Sequence, residues 1–248
     1  MSEEAAAFFE ALENTPPNGV SACRGWTAHE VIAHLASGAD AFANQVEAHL
    51  SGQPVPEFGS WDVREPPYRA MPDSALRRHL VAAEFRMAEA FTAMLKAGPA
   101  AANPEVGWGL PVAELVTHMR QEFAIHRWDL LGDDEVGSSL LGQPVLVEHS
   151  VALLADSLLA GLRSDPAARE PLAVRLRCPG SRDLLVTVDR GAGSLSWAEP
   201  SDAPDVIEAD PAARLLVLWG RRPACAARLR SMLEPDRLAR LQTILAGY

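Results

Sequence analysis

The chain has 248 residues, 48% of them hydrophobic and 22% charged, which is enough to bury a sizeable core and long enough for two modest domains. A formal net charge of −11 argues against a phosphate-tracking surface, because sequence-independent affinity for nucleic acid comes from clustered Lys and Arg. Cys23, Cys178 and Cys225 form no C-x-x-C pair, the acidic N-terminus lacks a basic leader, and no stretch is long enough to span a bilayer, so a cytoplasmic protein without a disulfide framework or a membrane partner is expected.

A helical segment is expected from Glu3 to about Asn14. In Trp26-Thr27-Ala28-His29-Glu30-Val31, Thr27 is placed as N-cap, Glu30 closes a capping box from N3, and Trp26 with Val31 forms a hydrophobic staple. A helix therefore starts there and runs to about Leu50, with Val31, Leu35, Phe42 and Val46 on its apolar side and His34 flanking them. Residues 54–72 are rich in proline and turn formers and suit a long connection. Ser74 then caps a helix to about Lys96, ended by Gly98-Pro99, and a further helix opens at Pro111 and closes at Gly132. These segments predict an antiparallel helical bundle.

Past Gly132 the pattern changes. A linking helix is expected from Pro144 to about Arg163, followed by the period-2 alternation of strands over 172–178 and 183–189. Leu195–Trp197 and Asp205–Glu208 supply two more. Asp210-Pro211 places an N-cap before a proline at N1, opening a short apolar helix that Gly220 ends, and Asp236–Ala246 forms the last helix. The fold class is α+β: a helical bundle over 1–140, on which the linking helix of about 144–163 can pack, and a small α+β domain over 141–248.

The chemistry sits on the helix before Gly132. At ~100° per residue, Leu115, Met119, Glu122, His126 and Leu130 share one sector, so a carboxylate and an imidazole one turn apart face the core. That is costly without compensation, and a divalent metal is the common compensation at this spacing. His118 continues the His-x3-Glu-x3-His series, but it lies about 12 Å of rise from His126, so it is either a partner of the ligands or a half-exposed polar residue. A further ligand must come from another helix, and His34 is the best placed, with Gly38 one turn on leaving room. A lone histidine near an apolar face is more often a satisfied core residue; the Glu122/His126 pair reverses that. Two imidazoles and one carboxylate leave a position open, as catalytic zinc sites do.

Trp26-Thr-Ala-His-Glu-Val-Ile-Ala-His34-Leu35, followed by Glu122-Phe-Ala-Ile-His126-Arg-Trp-Asp129-Leu, resembles the paired signature of the mycothiol-dependent maleylpyruvate isomerase family. The resemblance implies a DinB-like four-helix bundle in which His34, Glu122 and His126 bind a divalent metal, usually zinc, and a sterol-carrier-like C-terminal domain. Leu215-Leu-Val-Leu-Trp-Gly-Arg221-Arg222-Pro is similar to that domain's recurring helix end; Arg221 aligns best with the family's arginine near the metal cleft, with Arg222 as the alternative. The segment after Pro223 departs from the pattern.

The implied activity is addition of a mycothiol thiolate to an electrophilic small molecule. It ends either in cis–trans isomerisation, as from maleylpyruvate to fumarylpyruvate, or at the thiol adduct, as in an S-transferase. Arg221 would pair a substrate carboxylate or a developing enolate, or else only complement a helix C-terminus. Asp129 would orient a ligand histidine, or else mark a solvated helix end. The alternatives to an enzyme are a metal-containing protein that binds a small molecule or regulates a partner without making or breaking a bond, and a purely structural zinc protein.

Overall fold

The computed structural model describes residues 1–98, 106–155, 170–199, 205–223, 225 and 227–245, and the chain divides into two compact units, Met1–Leu131 and Gly132–Tyr248. The first unit is helical: α1 (Glu3–Glu13), α2 (Ala28–Leu50), two single turns α3 (Trp61–Arg64) and α4 (Pro66–Arg69), then α5 (Asp73–Ala97) and α6 (Val112–Leu131).

Local chemistry explains the helix starts. Ser2 Oγ accepts from the Ala5 N–H at 3.1 Å and caps α1. Thr27 precedes α2, and Glu30 Oε2 reaches back to the Thr27 N–H at 2.7 Å, closing the expected capping box. α5 begins one residue before the expected Ser74 cap: Pro72 enters the helix, and Asp73 spends its carboxylate on Arg77 Nε at 2.7 Å and on His29 Nδ1 at 3.3 Å instead of on the helix end.

α2 packs most extensively on α5, and α1 on α6. Phe8, Val31, Phe42, Leu80, Leu115 and Phe123 are fully buried in one core. Each is worth ~1.5–3 kcal/mol of transfer free energy. Glu4 on α1 is also buried and accepts from Arg120 Nη2 of α6 at 2.7 Å, so the charge is paired where water is excluded.

The second unit opens with α7 (Glu135–Leu141), absent from the expected elements although Asp134 caps it through a 2.6 Å bond from the Gly137 N–H. α8 (Pro144–Leu153) is the start of the expected linking helix; the part of that helix beyond residue 155 lies outside the described residues. Five strands follow, β1 (Leu172–Arg177), β2 (Asp183–Asp189), β3 (Ala192–Ala198), β4 (Val206–Ala209) and, after α9 (Pro211–Leu218), β5 (Leu229–Ser231); α10 (Pro235–Leu245) comes last. The order is β3-β2-β1-β4-β5, with β1 and β4 parallel and the other pairs antiparallel.

The period-2 pattern sets the register: Val174 faces Val186, Val186 faces Leu195, and all three are buried. Arg190 and Gly191, both at positive φ, make the two-residue hairpin turn between β2 and β3. β5, which the sequence patterning does not predict, is a three-residue edge strand, too short to alternate legibly. Among the described residues, no helix is long and apolar enough to cross a membrane.

Candidate metal centre

α6 carries two of the predicted ligands. Every side chain from Phe123 to Asp129 is buried, so this turn of helix sets Glu122 and His126 against α2 with little freedom. On α2, His34 lies beside Ala33, Leu35 and Ala36, whose burial fixes the helix rotation, and nothing lies within 4 Å of where a Cβ on Gly38 would stand.

The three side chains converge. His34 Nε2 is 3.3 Å and His126 Nε2 3.5 Å from the same atom, Glu122 Oε2. Donors around a tetrahedral zinc with bonds of 2.0–2.1 Å stand roughly 3.3 Å apart, so the spacing fits a shared cation. Ligand atoms of His34, Glu122 and His126 all lie within 4.8 Å of one another. His118 is buried beside this cluster with Nε2 4.0 Å from Glu122 Oε1, so it neighbours the three residues without joining their group.

What holds the imidazoles matters as much as where they point. His126 donates from Nδ1 to Asp129 Oδ2 at 2.8 Å, and Asp129 is only 3% exposed, which rules out the solvated helix end as its role. His34 donates from Nδ1 to Glu65 Oε1 at 2.7 Å, and Glu65 is 1% exposed and braced by Arg69, which donates to Oε2 at 2.7 and 3.1 Å. With each Nδ1 hydrogen-bonded to a buried carboxylate, each Nε2 is the nitrogen turned toward Glu122, the one that metal ligation would use once it is deprotonated.

Glu65 was not among the sequence candidates. It comes from the junction of α3 and α4, inside the proline-rich connection, where no periodicity marks it. Cys23 was also missed. Trp26 N–H bonds back to Cys23 O at 3.0 Å in a turn with Gly25 at φ 81°, and the Ala22 N–H bonds to Asp129 O at 2.8 Å. The turn so clipped to α6 sets the Cys23 thiol to donate to Asp129 Oδ2 at 3.0 Å, 3.9 Å from His126 Nδ1. Trp26 stacks on the His126 ring at 6.3 Å between centroids and tilts against His34 at 5.2 Å, walling one flank of both imidazoles. A residue read as a staple thus also lines the site.

Three carboxylates, Glu122, Asp129 and Glu65, surround two imidazoles. Burial works against ionisation of Glu122, but hydrogen bonds from His126 and His34 outweigh it and hold the carboxyl well below its usual range. Burial likewise opposes charge on His126, and Asp129, Cys23 and Glu122 together overcome it and push the imidazole well above its usual value. Side-chain exposures of 21% for His34 and 16% for Glu122 open the group to solvent on one side. Structural zinc is normally closed by four protein ligands.

Arg221 belongs to the second unit. The Gly220 turn at φ 71° and the bond from the Arg221 N–H to Leu216 O at 2.8 Å close the end of α9 in the manner of a Schellman motif. Its guanidinium donates to Trp219 O at 2.8 Å.

Fold and site together define an α+β protein whose helical N-terminal region carries a carboxylate-backed histidine pair and whose C-terminal region is a small five-stranded sheet domain. The profile of the family described as mycothiol maleylpyruvate isomerase N-terminal domain matches residues 1–131, more than half of the chain, and the protein belongs to that family. Two crystal structures of the mycothiol-dependent maleylpyruvate isomerase have a similar fold at 19% identity. One, of a histidine-to-alanine mutant, aligns with a TM-score of 0.65 and the other with 0.61, each covering 94% of this chain and 91% of that one. No curated protein matches the sequence.

Proposed function

We propose that this chain is a metal-dependent, mycothiol-using enzyme that adds a thiolate to an electrophilic small molecule, as a maleylpyruvate isomerase-like cis–trans isomerase or as a thiol S-transferase. The observation that carries the metal is the meeting of two imidazole Nε2 atoms on Glu122 Oε2, each ring backed at Nδ1 by a buried carboxylate. His34, Glu122 and His126 would hold the ion, and two nitrogens with one oxygen suit zinc. When bound, a divalent cation lowers the pKa of a coordinated thiol below neutrality and so supplies thiolate at physiological pH.

The chain's own residues do the rest. Glu65 and Asp129 keep both imidazoles in the ligating tautomer. Trp26 excludes water from one flank, and the exposed side of His34 and Glu122 admits thiol and electrophile. In the isomerase, an S–C bond forms at one carbon of the cis double bond, the chain turns about the resulting single bond, and expulsion of the same thiolate leaves the trans isomer with no net change in atoms. In the transferase the carbanion instead takes a proton and the adduct leaves; with chlorodinitrobenzene or monobromobimane the S–C bond forms at the halide-bearing carbon and chloride or bromide departs. The family pattern alone supports Arg221 as the residue pairing with the developing oxyanion.

Membership of the family and the name shared by the two similar structures support mycothiol as the thiol. The test is turnover by metal-loaded protein with mycothiol and maleylpyruvate, chlorodinitrobenzene or monobromobimane. Turnover that needs both metal and thiol is expected; none with any of the three refutes the enzyme in favour of a binding protein.

A further inference from the structure

In the first unit Arg69, Arg77, Arg86 and Arg120 each pair with a carboxylate. Arg64, half-buried on α3, does not. Its Nε donates to Ser37 Oγ at 3.2 Å, its Nη1 donates to Gly59 O at 3.2 Å, and the guanidinium lies over the Phe58 ring at 4.7 Å. Two neutral acceptors and an aromatic face hold the group, while Nη2 has no hydrogen-bond partner among the described residues. A half-buried guanidinium bonded only to neutral acceptors keeps one N–H edge available to an anion.

Its placement is not incidental. Ser37 donates to His34 O at 2.9 Å, so Arg64 is braced against the turn of α2 that carries a ligand, and the next residue, Glu65, is the carboxylate on His34 Nδ1. Burial lowers the Arg64 pKa, and the charges of Glu65 and Glu122 act against that. One short connection thus delivers both a positioning carboxylate and an unpaired cation to the same centre.

We propose that Arg64 is a specificity-determining residue that pairs with a carboxylate on the molecule entering this centre. A single guanidinium edge suits a planar carboxylate, which it can pair in a bidentate fork. The role in selecting substrate rests on the thiol-adding enzyme proposed above; the anion-binding role does not.

Maleate and diethyl maleate share one carbon skeleton and differ in charge, so they separate the two. Calorimetric titration of the zinc-loaded protein with maleate is expected to give a Kd that Arg64→Gln weakens by about tenfold or more, with Arg64→Lys between the two. With mycothiol present, Arg64→Gln is expected to lower kcat/KM for maleate at least tenfold more than for diethyl maleate. Zinc content and thermal midpoint are read on the same samples. Equal maleate affinity in wild type and Arg64→Gln, no maleate binding by the wild type, or loss of zinc together with maleate in the variant would each overturn the inference. If maleate binding depends on Arg64 but neither ester nor acid adds thiol, the substrate-selecting role is refuted and the anion-pairing arginine stands.

Discussion

Glu65→Gln isolates what the buried carboxylate does for His34. The amide has two orientations, and each fails in a definable way. With its oxygen on His34 Nδ1, its NH2 faces Arg69 Nε and Nη2, which now donate at 3.1 and 2.7 Å to Oε2. Donor then meets donor in a site 1% exposed, at a cost of about 1–3 kcal/mol for unsatisfied buried groups. With its NH2 on His34 Nδ1, the imidazole must carry its proton on Nε2, the atom aimed at Glu122, and His34 can no longer ligate. Loss of such a supporting carboxylate typically weakens metal binding 10–100-fold, or about 1.4–2.8 kcal/mol. Zinc competition against a chromophoric chelator reads the affinity, and circular dichroism of the metal-free protein reads the fold. Zinc affinity within twofold of wild type, in a folded Glu65→Gln protein, would refute the role assigned to Glu65.

Asp129→Asn should act in the same way on His126, weakening zinc binding about 10–100-fold in the same competition assay, and affinity equal to wild type would leave Asp129 without its orienting role. Phe8→Ala removes a fully buried ring 5.6 Å from that of Phe123 and should cost about 3–5 kcal/mol in urea unfolding of metal-free protein; a loss under 1 kcal/mol would contradict the packing described for α1 on α6. In the second unit, burial alone would raise the Asp210 pKa, but Arg228 at 2.7 and 3.1 Å and the Ala213 N–H at 2.8 Å outweigh it and hold the carboxyl below its usual range. The native state therefore binds fewer protons than the unfolded chain. That contribution is complete above the unfolded value of ~3.9 and is lost as pH falls through the lower native one. Asp210→Asn, which can still cap α9, should show a shallower fall in Tm between pH 5 and 3 than wild type, and an identical slope would refute the linkage.

Most of this architecture was legible because it rests on local chemistry. Thr27 and Glu30 announce the start of α2, Asp210-Pro211 announces α9, and the alternation in 172–177 and 183–189 sets two adjacent strands. The convergence of His34, Glu122 and His126 was legible for a different reason: Glu122 and His126 violate the apolar face of α6, and a violation that persists in a core needs a compensating partner. Glu65 could not be seen that way. Its environment is created by the chain folding back over α2, and a proline-rich connection carries no period from which burial can be read. The requirement that a ligand histidine have an acceptor on its other nitrogen was satisfied for His126 by Asp129, but only tertiary structure supplies the one for His34. Cys23 was hidden because spacing rules look for cysteine pairs, whereas here one thiol meets a carboxylate 106 residues away. α7 was missed because its seven residues span only about two turns, too few for a helical period to show.

The most direct test is metal stoichiometry. Protein stripped with chelator, reloaded with zinc and desalted should hold one ion per chain by elemental analysis, and His126→Ala and Glu122→Ala should each hold almost none while keeping their helix content. Wild type that retains no zinc, or a folded His126→Ala that retains a full equivalent, would contradict the centre at His34, Glu122 and His126.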